Sequence, residues 1–492
     1  MTTRIRLRIF TVISIILLCI ALTTKPLQND TFYMIKLGED ILKNGIDLVD
    51  HYSWVAALSY TYPHWLYDIF IYWVYNNFNY LGVYISNMIL FIVLVSSIYI
   101  INLKTNRNEL MASIISIVSI PCLVGFVTAR AQLITGILFL WQVYFIEKLI
   151  GSGKKSYVLV LALISLLVAN LHATIWLFYF ILYLPFIGEH LVYKILQLRK
   201  KKAEKSSKLI IEEVKNFKLL VLSAVIGFFM GFLSPSKICF TYIFRVMMGN
   251  SQNYILEHAP MVLISNIPFL IFILLVLVVL IFSNTKIKLK ELFMIGGLIF
   301  MSLSSGRHSF FFYIIGLLYI SILCSRYLIE KNDITLEVLT NLFVKNKIIY
   351  VIGIILVCVV SFIKFQDNYS LEYVPEEDYP IEAVNYIKDN LDINTIHLYN
   401  DYNFGSYLLF NDIPVFIDSR CDLYLKEFNG LDYSIFDDAM NIKSDYEEKF
   451  DFYGVTHALV FNTSILNKLF EKDSSFNIIY SDKYFSLIEI IN

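Results

Sequence analysis

Eleven long apolar stretches divide the chain, at residues 7–24, 80–103, 110–128, 131–147, 156–171, 173–193, 218–234, 261–283, 292–305, 308–324 and 348–364. Each approaches the ~20 residues an α-helix needs to cross hydrocarbon, so the pattern predicts a polytopic α-helical membrane protein with about 11 transmembrane helices. The first stretch follows the basic segment MTTRIRLRIF, as a secretory signal does. No small-x-small cleavage site follows it, and it is read as a retained span. From about Asp367 the apolar runs give way to short alternating elements. Helices are predicted at 380–390, 403–410 and 434–442, and strands at 394–399, 414–418, 457–461, 476–481 and 484–490. The chain thus divides into a membrane domain, 1–364, with a large first polar loop at 25–79, and a C-terminal α/β domain, 365–492.

Composition agrees with this class. Apolar residues make up 57% of the 492 positions and charged residues 16%, which excludes an ordinary soluble chain. The net charge of -1 conceals a segregation of basic and acidic loops, and gives no reason to expect a nucleic-acid partner. Five of the six cysteines (Cys19, Cys122, Cys239, Cys324 and Cys358) fall in apolar stretches, so Cys421 has no partner in the tail for an internal disulfide.

Positive charge sets the expected orientation. Arg4, Arg6 and Arg8 place the N-terminus in the cytoplasm. Alternation through the spans then puts Lys104 with Arg107, Lys148 with Lys154 and Lys155, the 199–208 run RKKKAEKSSK, KIKLK at 286–290 and the 326–347 loop on that same side. This count requires residues 64–77, HWLYDIFIYWVYNN, to form a separate interfacial helix. It also makes the C-terminal domain extracytoplasmic.

With that orientation the uncommon polar residues of the spans share the outer side. The first loop, 29–68, carries five aspartates, two histidines and two tryptophans, and beside it fall Arg130, His172, Glu257, His258, Arg307 and His308. Ionisable groups at span boundaries are costly unless they are paired or face water, so a set confined to one layer points to a substrate cavity. Singly, an arginine there also serves as a snorkelling anchor, and His172 as an interhelical hydrogen-bond donor. An outer site has no nucleotide pool, so a transferase there draws on a lipid-linked donor. Such a donor needs cations on its phosphate and a carboxylate to take the acceptor's proton. Arg130, His172, Arg307 and His308 fit the first role, and Asp30 or Asp40 the second.

The stretch Asn29-Asp30-Thr31-Phe32-Tyr33, followed by an amphipathic segment ending at Gly45 and a PHWLYD entry to the next helix, resembles the GT-C superfamily of integral membrane glycosyltransferases. The resemblance covers chiefly residues 1–100. It implies a polyprenyl-phosphate-linked sugar donor, inversion at the anomeric carbon, a lipid, glycan or protein acceptor, and a catalytic acid that falls by position on Asp30. The paired acidic motif of some relatives is missing, because Asp30 lies between Asn29 and Thr31. No cofactor is fixed by the sequence, and a divalent cation is left open.

Several residues carry two readings. Asp30 serves as a base or as the cap of a helix over 31–44. His64 and Asp68, four apart, form a pair within a substrate site or a plain interfacial clamp. Asp418, Arg420 and Asp422 in FIDSRCDLY make an internal salt-bridge cluster or an anion grip, and Tyr399, Tyr402 and Tyr407 offer a sugar-stacking surface. The competing functions are a non-catalytic lipid or polysaccharide transporter, flippase or assembly partner, and a surface polysaccharide polymerase or ligase.

Overall fold

The computed structural model describes residues 3–106, 108–199, 208–248, 254–330, 345–442 and 445–491. Arg107 and most of the 199–208 and 326–347 basic loops lie outside the described residues. The chain forms two compact units that interleave in sequence. One comprises Met1–Thr24, Tyr84–Cys239 and Ile255–Ser370, and the other Lys25–Val83, Phe240–Tyr254 and Leu371–Asn492.

The first unit is helical. All eleven apolar stretches fall on helices, seven of them long and apolar enough to cross a membrane: Arg4–Leu22, Trp65–Thr105, Glu109–Phe126, Gln132–Ser152, Ala173–Leu198, Gly306–Glu330 and Lys347–Tyr369. Ser156–Leu171, Phe217–Leu233 and Ile267–Phe282 are shorter apolar helices, and Leu289–Ser304 holds the remaining stretch, 292–305. Local chemistry sets their ends. The Asn108 side chain accepts from the N–H groups of Leu110 and Met111 to start Glu109–Leu123, and Glu291 closes a capping box on the Lys288 backbone. At the end of Gln132–Ser152, Gly153 adopts φ 66° and the Asn216 amide donates to the Ile150 carbonyl at 2.9 Å.

The helix Trp65–Thr105 is broken at Asn79, where φ is 52° and ψ -155°. The segment before the break is therefore a helix of its own, and it belongs to the second unit.

That second unit joins the first polar loop to the C-terminal segment. Its sheet has the order β3-β4-β6-β5, where β3 is Leu398–Asn400, β4 His457–Phe461, β5 Phe476–Ser481 and β6 Phe485–Ile490; β1 (Leu209–Ile210) and β2 (Ile287–Lys288) pair separately in the first unit. β3 runs parallel to β4, whereas β6 is antiparallel to both β4 and β5. Asp482 turns the β5–β6 hairpin by accepting from the N–H groups of Tyr484 and Phe485.

The predicted strand at 414–418 does not join the sheet. Its backbone is taken up elsewhere: the fully buried Asn400 amide donates to Ile417 O at 2.7 Å and accepts from Phe416 N at 2.9 Å. On its other side Val415 pairs with Tyr52 and Trp54 of the first loop. The first loop thus supplies part of this unit's interior. Phe32, fully buried in the helix Asn29–Asn44, stacks edge-on against Tyr379 and Tyr407. Gly38 of that helix lies so close to the Asp68 carbonyl that no side chain fits there, which fixes its crossing with the segment starting at Trp65.

Candidate functional site

In the first unit, four of the expected residues come together. Arg130 precedes the helix Gln132–Ser152, Glu257 and His258 sit on a short 3-10 turn, Leu256–His258, and Arg307 opens Gly306–Glu330. Arg130 Nη1 lies 3.3 and 3.5 Å from the Glu257 carboxylate oxygens, and Arg307 Nη1 3.9 Å. Arg307 Nη1 also donates to His258 Nε2 at 2.6 Å, which requires a neutral imidazole. Burial and the neighbouring Arg307 charge push His258 down to about 4, consistent with that bond. For Glu257 burial acts upward, but the Arg307 and Arg130 charges outweigh it and hold the carboxyl below its usual range.

The 254–260 segment is fixed through its backbone. Ser305 Oγ donates to Glu257 O at 3.1 Å, and Gly306 N donates to Ala259 O at 3.0 Å. His308 Nδ1 lies 3.3 Å from Met301 O and ties the cluster to the end of Leu289–Ser304. His172 is buried and meets Thr135 Oγ1 at 3.1 Å, one turn into the helix that follows Arg130.

Met301 also lines an apolar groove of about 570 Å³. Its walls include Leu182, Pro185, Phe293, Gly297 and Leu298, and added side chains at Gly296 and Gly297 would meet open space. No sequence signal separated these residues from other apolar span residues; the Gly296-Gly297 pair was the one available hint. The opposite ends of the same helices carry a different set, with Lys290 bonded to Glu147 at 2.6 Å and Arg326 bidentate to Glu291 at 2.5 and 2.6 Å.

In the second unit the first-loop acids separate. Gln28 occupies the N-cap of Asn29–Asn44, so Asp30 is not the cap; it lies half-exposed in the first turn, where a carboxylate is favoured by the helix dipole. Asp40 accepts from Asn44 Nδ2 at 2.6 Å and lines an open polar cleft of about 530 Å³ with Lys36, Lys43, Asp47, Tyr52 and Asp412. Lys36 bonds there to Asp412 at 2.6 Å and to Glu39 at 3.0 Å.

The expected side-chain pair of His64 and Asp68 does not form. His64 precedes the helix, and its carbonyl receives the N–H groups of Tyr67 and Asp68. Asp68 is fully buried, and its carboxylate oxygens have no hydrogen-bond partner among the described residues.

Asp418 and Arg420 form the internal cluster, with a partner that sequence spacing did not indicate. Arg420 donates through Nε and Nη2 to Asp418 and through Nη1 to Asp50 of the first loop at 2.5 Å. Tyr424 Oη adds a bond to Asp418 at 2.7 Å, and the guanidinium lies over the rings of Tyr60 and Tyr52. All three charged side chains are at most 1% exposed, so Arg420 grips no outside anion. The tyrosines near Gly405 are also spent internally: Tyr399 packs on Phe416 and Phe450, Tyr407 on Phe32, and Tyr402 on Phe436. Among the described residues no three His, Cys, Asp or Glu side chains converge as metal ligands.

No protein-family model matches the chain, and no curated protein matches it in sequence. Solved structures do. The archaeal oligosaccharyltransferase AglB from Archaeoglobus fulgidus, in complex with an inhibitory peptide and a dolichol-phosphate, superposes with a TM-score of 0.56 at 10% identity, covering 93% of this chain and 69% of its own. ArnT from Cupriavidus metallidurans, bound to undecaprenyl phosphate, gives a TM-score of 0.55 at 10% identity and covers 98% of this chain and 97% of its own. The chain therefore shares the polytopic fold of AglB and ArnT.

Proposed function

We propose that the protein is a membrane glycosyltransferase that moves a sugar from a polyprenyl-phosphate donor to a cell-envelope acceptor on the outer face of the membrane. Met301 carries this reading: it lines an apolar groove suited to a lipid tail, and its carbonyl contacts His308, the neighbour of Arg307 in a cluster bearing two guanidinium groups. A ligand that suits both is an anionic head on a long hydrocarbon chain. AglB and ArnT, which share the fold, were solved with dolichol-phosphate and undecaprenyl phosphate.

In this reading the tail lies along Gly296 and Gly297, and Arg130 and Arg307 hold the phosphate, with His172, Glu257, His258 and His308 around them. The acceptor hydroxyl attacks the anomeric carbon opposite the phosphate, and the bond from that carbon to the phosphate oxygen breaks with inversion. The electron pair leaves on the phosphate, where the arginines offset the charge. The acceptor proton passes to a first-loop carboxylate, which we assign to Asp30, with Asp40 as the second candidate.

Arg307→Gln is expected to raise the apparent KM for the donor about tenfold or more, with a smaller fall in kcat. An unchanged donor KM would remove the phosphate contact from the account. The proposed orientation has its own test. Ser474 is exposed in the second unit, so Ser474→Cys in a Cys358→Ser background is expected to react with an impermeant maleimide in intact cells. Reaction only after lysis would place that unit in the cytoplasm.

A further inference from the structure

Arg326 with Glu291, and Arg420 with Asp418, meet at 2.5–2.6 Å on acids that are at most 7% exposed. The pair at the candidate phosphate site differs. Glu257 reaches Arg130 only at 3.3 and 3.5 Å and Arg307 at 3.9 Å, and its side chain is 42% exposed. Charge-assisted bonds settle near ~2.7–2.9 Å, so this carboxylate lies between two guanidinium groups without closing on either. Its backbone is pinned by Ser305, so the loose contact belongs to the side chain alone. Arg307 meanwhile donates its short bond to neutral His258.

We propose that Glu257 is a built-in counter-ion that occupies the anion position of Arg130 and Arg307, and that a phosphate enters by exchanging with its carboxylate. This rests on the reading of the two arginines as the donor-phosphate site. Because the arginines hold Glu257 ionised, it competes with every anion that approaches. A free anion must displace it with its charge alone. A phosphate carrying a hydrocarbon chain gains burial in the groove that Met301 lines, and this favours lipid-linked phosphate over dissolved phosphate.

The test uses the full chain purified in detergent, with geranylgeranyl phosphate and inorganic phosphate as probes and binding followed by intrinsic tryptophan fluorescence. Glu257→Gln keeps the side-chain shape and removes the charge, and is expected to tighten both probes by about fivefold to tenfold, the size of a partly exposed charge contact to two partners. Glu257→Asp is expected to stay near the parent affinity. Thermal melts of both variants check that they are folded. Weaker or unchanged binding by folded Glu257→Gln, while Arg307→Gln still loses affinity, overturns the counter-ion role and leaves the phosphate site standing. If Arg307→Gln binds both probes as the parent does, the phosphate site itself fails.

Discussion

Arg420→Met is expected to lower the stability of the second unit by about 3–5 kcal/mol, because it strands two carboxylates that have no access to water. Asp418 and Asp50 are each at most 1% exposed, and Arg420 is the cation bonded to both. Breaking a buried pair from one side costs more than exchanging the whole pair for apolar groups, so Arg420→Met combined with Asp418→Leu is expected to be less damaging than Arg420→Met alone. The measurement is the unfolding midpoint of purified protein, expected to fall by about 10 °C for the single variant. Since Asp50 lies in the first loop and Arg420 in the C-terminal segment, limited proteolysis is expected to cut around residues 45–60 first. A midpoint unchanged by Arg420→Met would mean that this network does not hold the loop to the C-terminal segment.

Asp30→Asn is expected to reduce sugar transfer by about a hundredfold to ten thousandfold, the range set by loss of a positioned general base. The amide keeps the size of the side chain and cannot accept the acceptor's proton. Donor affinity and the unfolding midpoint are expected to stay near the parent values, which separates a chemical role from a structural one. If transfer persists in Asp30→Asn and is lost in Asp40→Asn, the base moves to Asp40, which lines the polar cleft beside Lys36 and Asp412.

The helical part of the fold was legible because continuous Ile, Leu, Val and Phe runs have one stable outcome in hydrocarbon, where every backbone group must be satisfied within the segment. The charge count asked for a separate helix at 64–77, and the structure breaks the long helix at Asn79, two residues beyond that stretch. Strands β4 and β5 stand at their expected bounds, as alternating segments between turn residues usually do. The strand predicted at 414–418 failed for a reason no local pattern carries. A side-chain amide from Asn400 takes the backbone groups that a neighbouring strand would have taken.

Site residues followed the same division. Arg130, Glu257, His258 and Arg307 stood out because charge at the end of an apolar run is expensive, and the structure brings them together. Which acid would meet which arginine was not legible. Asp50 is 370 residues from Arg420, and nothing in the chain's spacing couples them. The tyrosines near Gly405 misled because an aromatic ring with a hydroxyl suits a sugar surface and a packed interior equally well. Phe32 and Phe450 decide for the interior.

The central claim is that this protein breaks the bond between a sugar and a polyprenyl phosphate. The direct measurement incubates purified protein with a panel of polyprenyl-phosphate sugars and cell-envelope acceptors and follows release of the free lipid phosphate. The account predicts release with one donor class, dependent on acceptor and lost in Asp30→Asn, with inverted configuration in the product. Binding of the lipid without release, for every donor and acceptor in the panel, would contradict it and indicate a carrier of lipid-linked sugars.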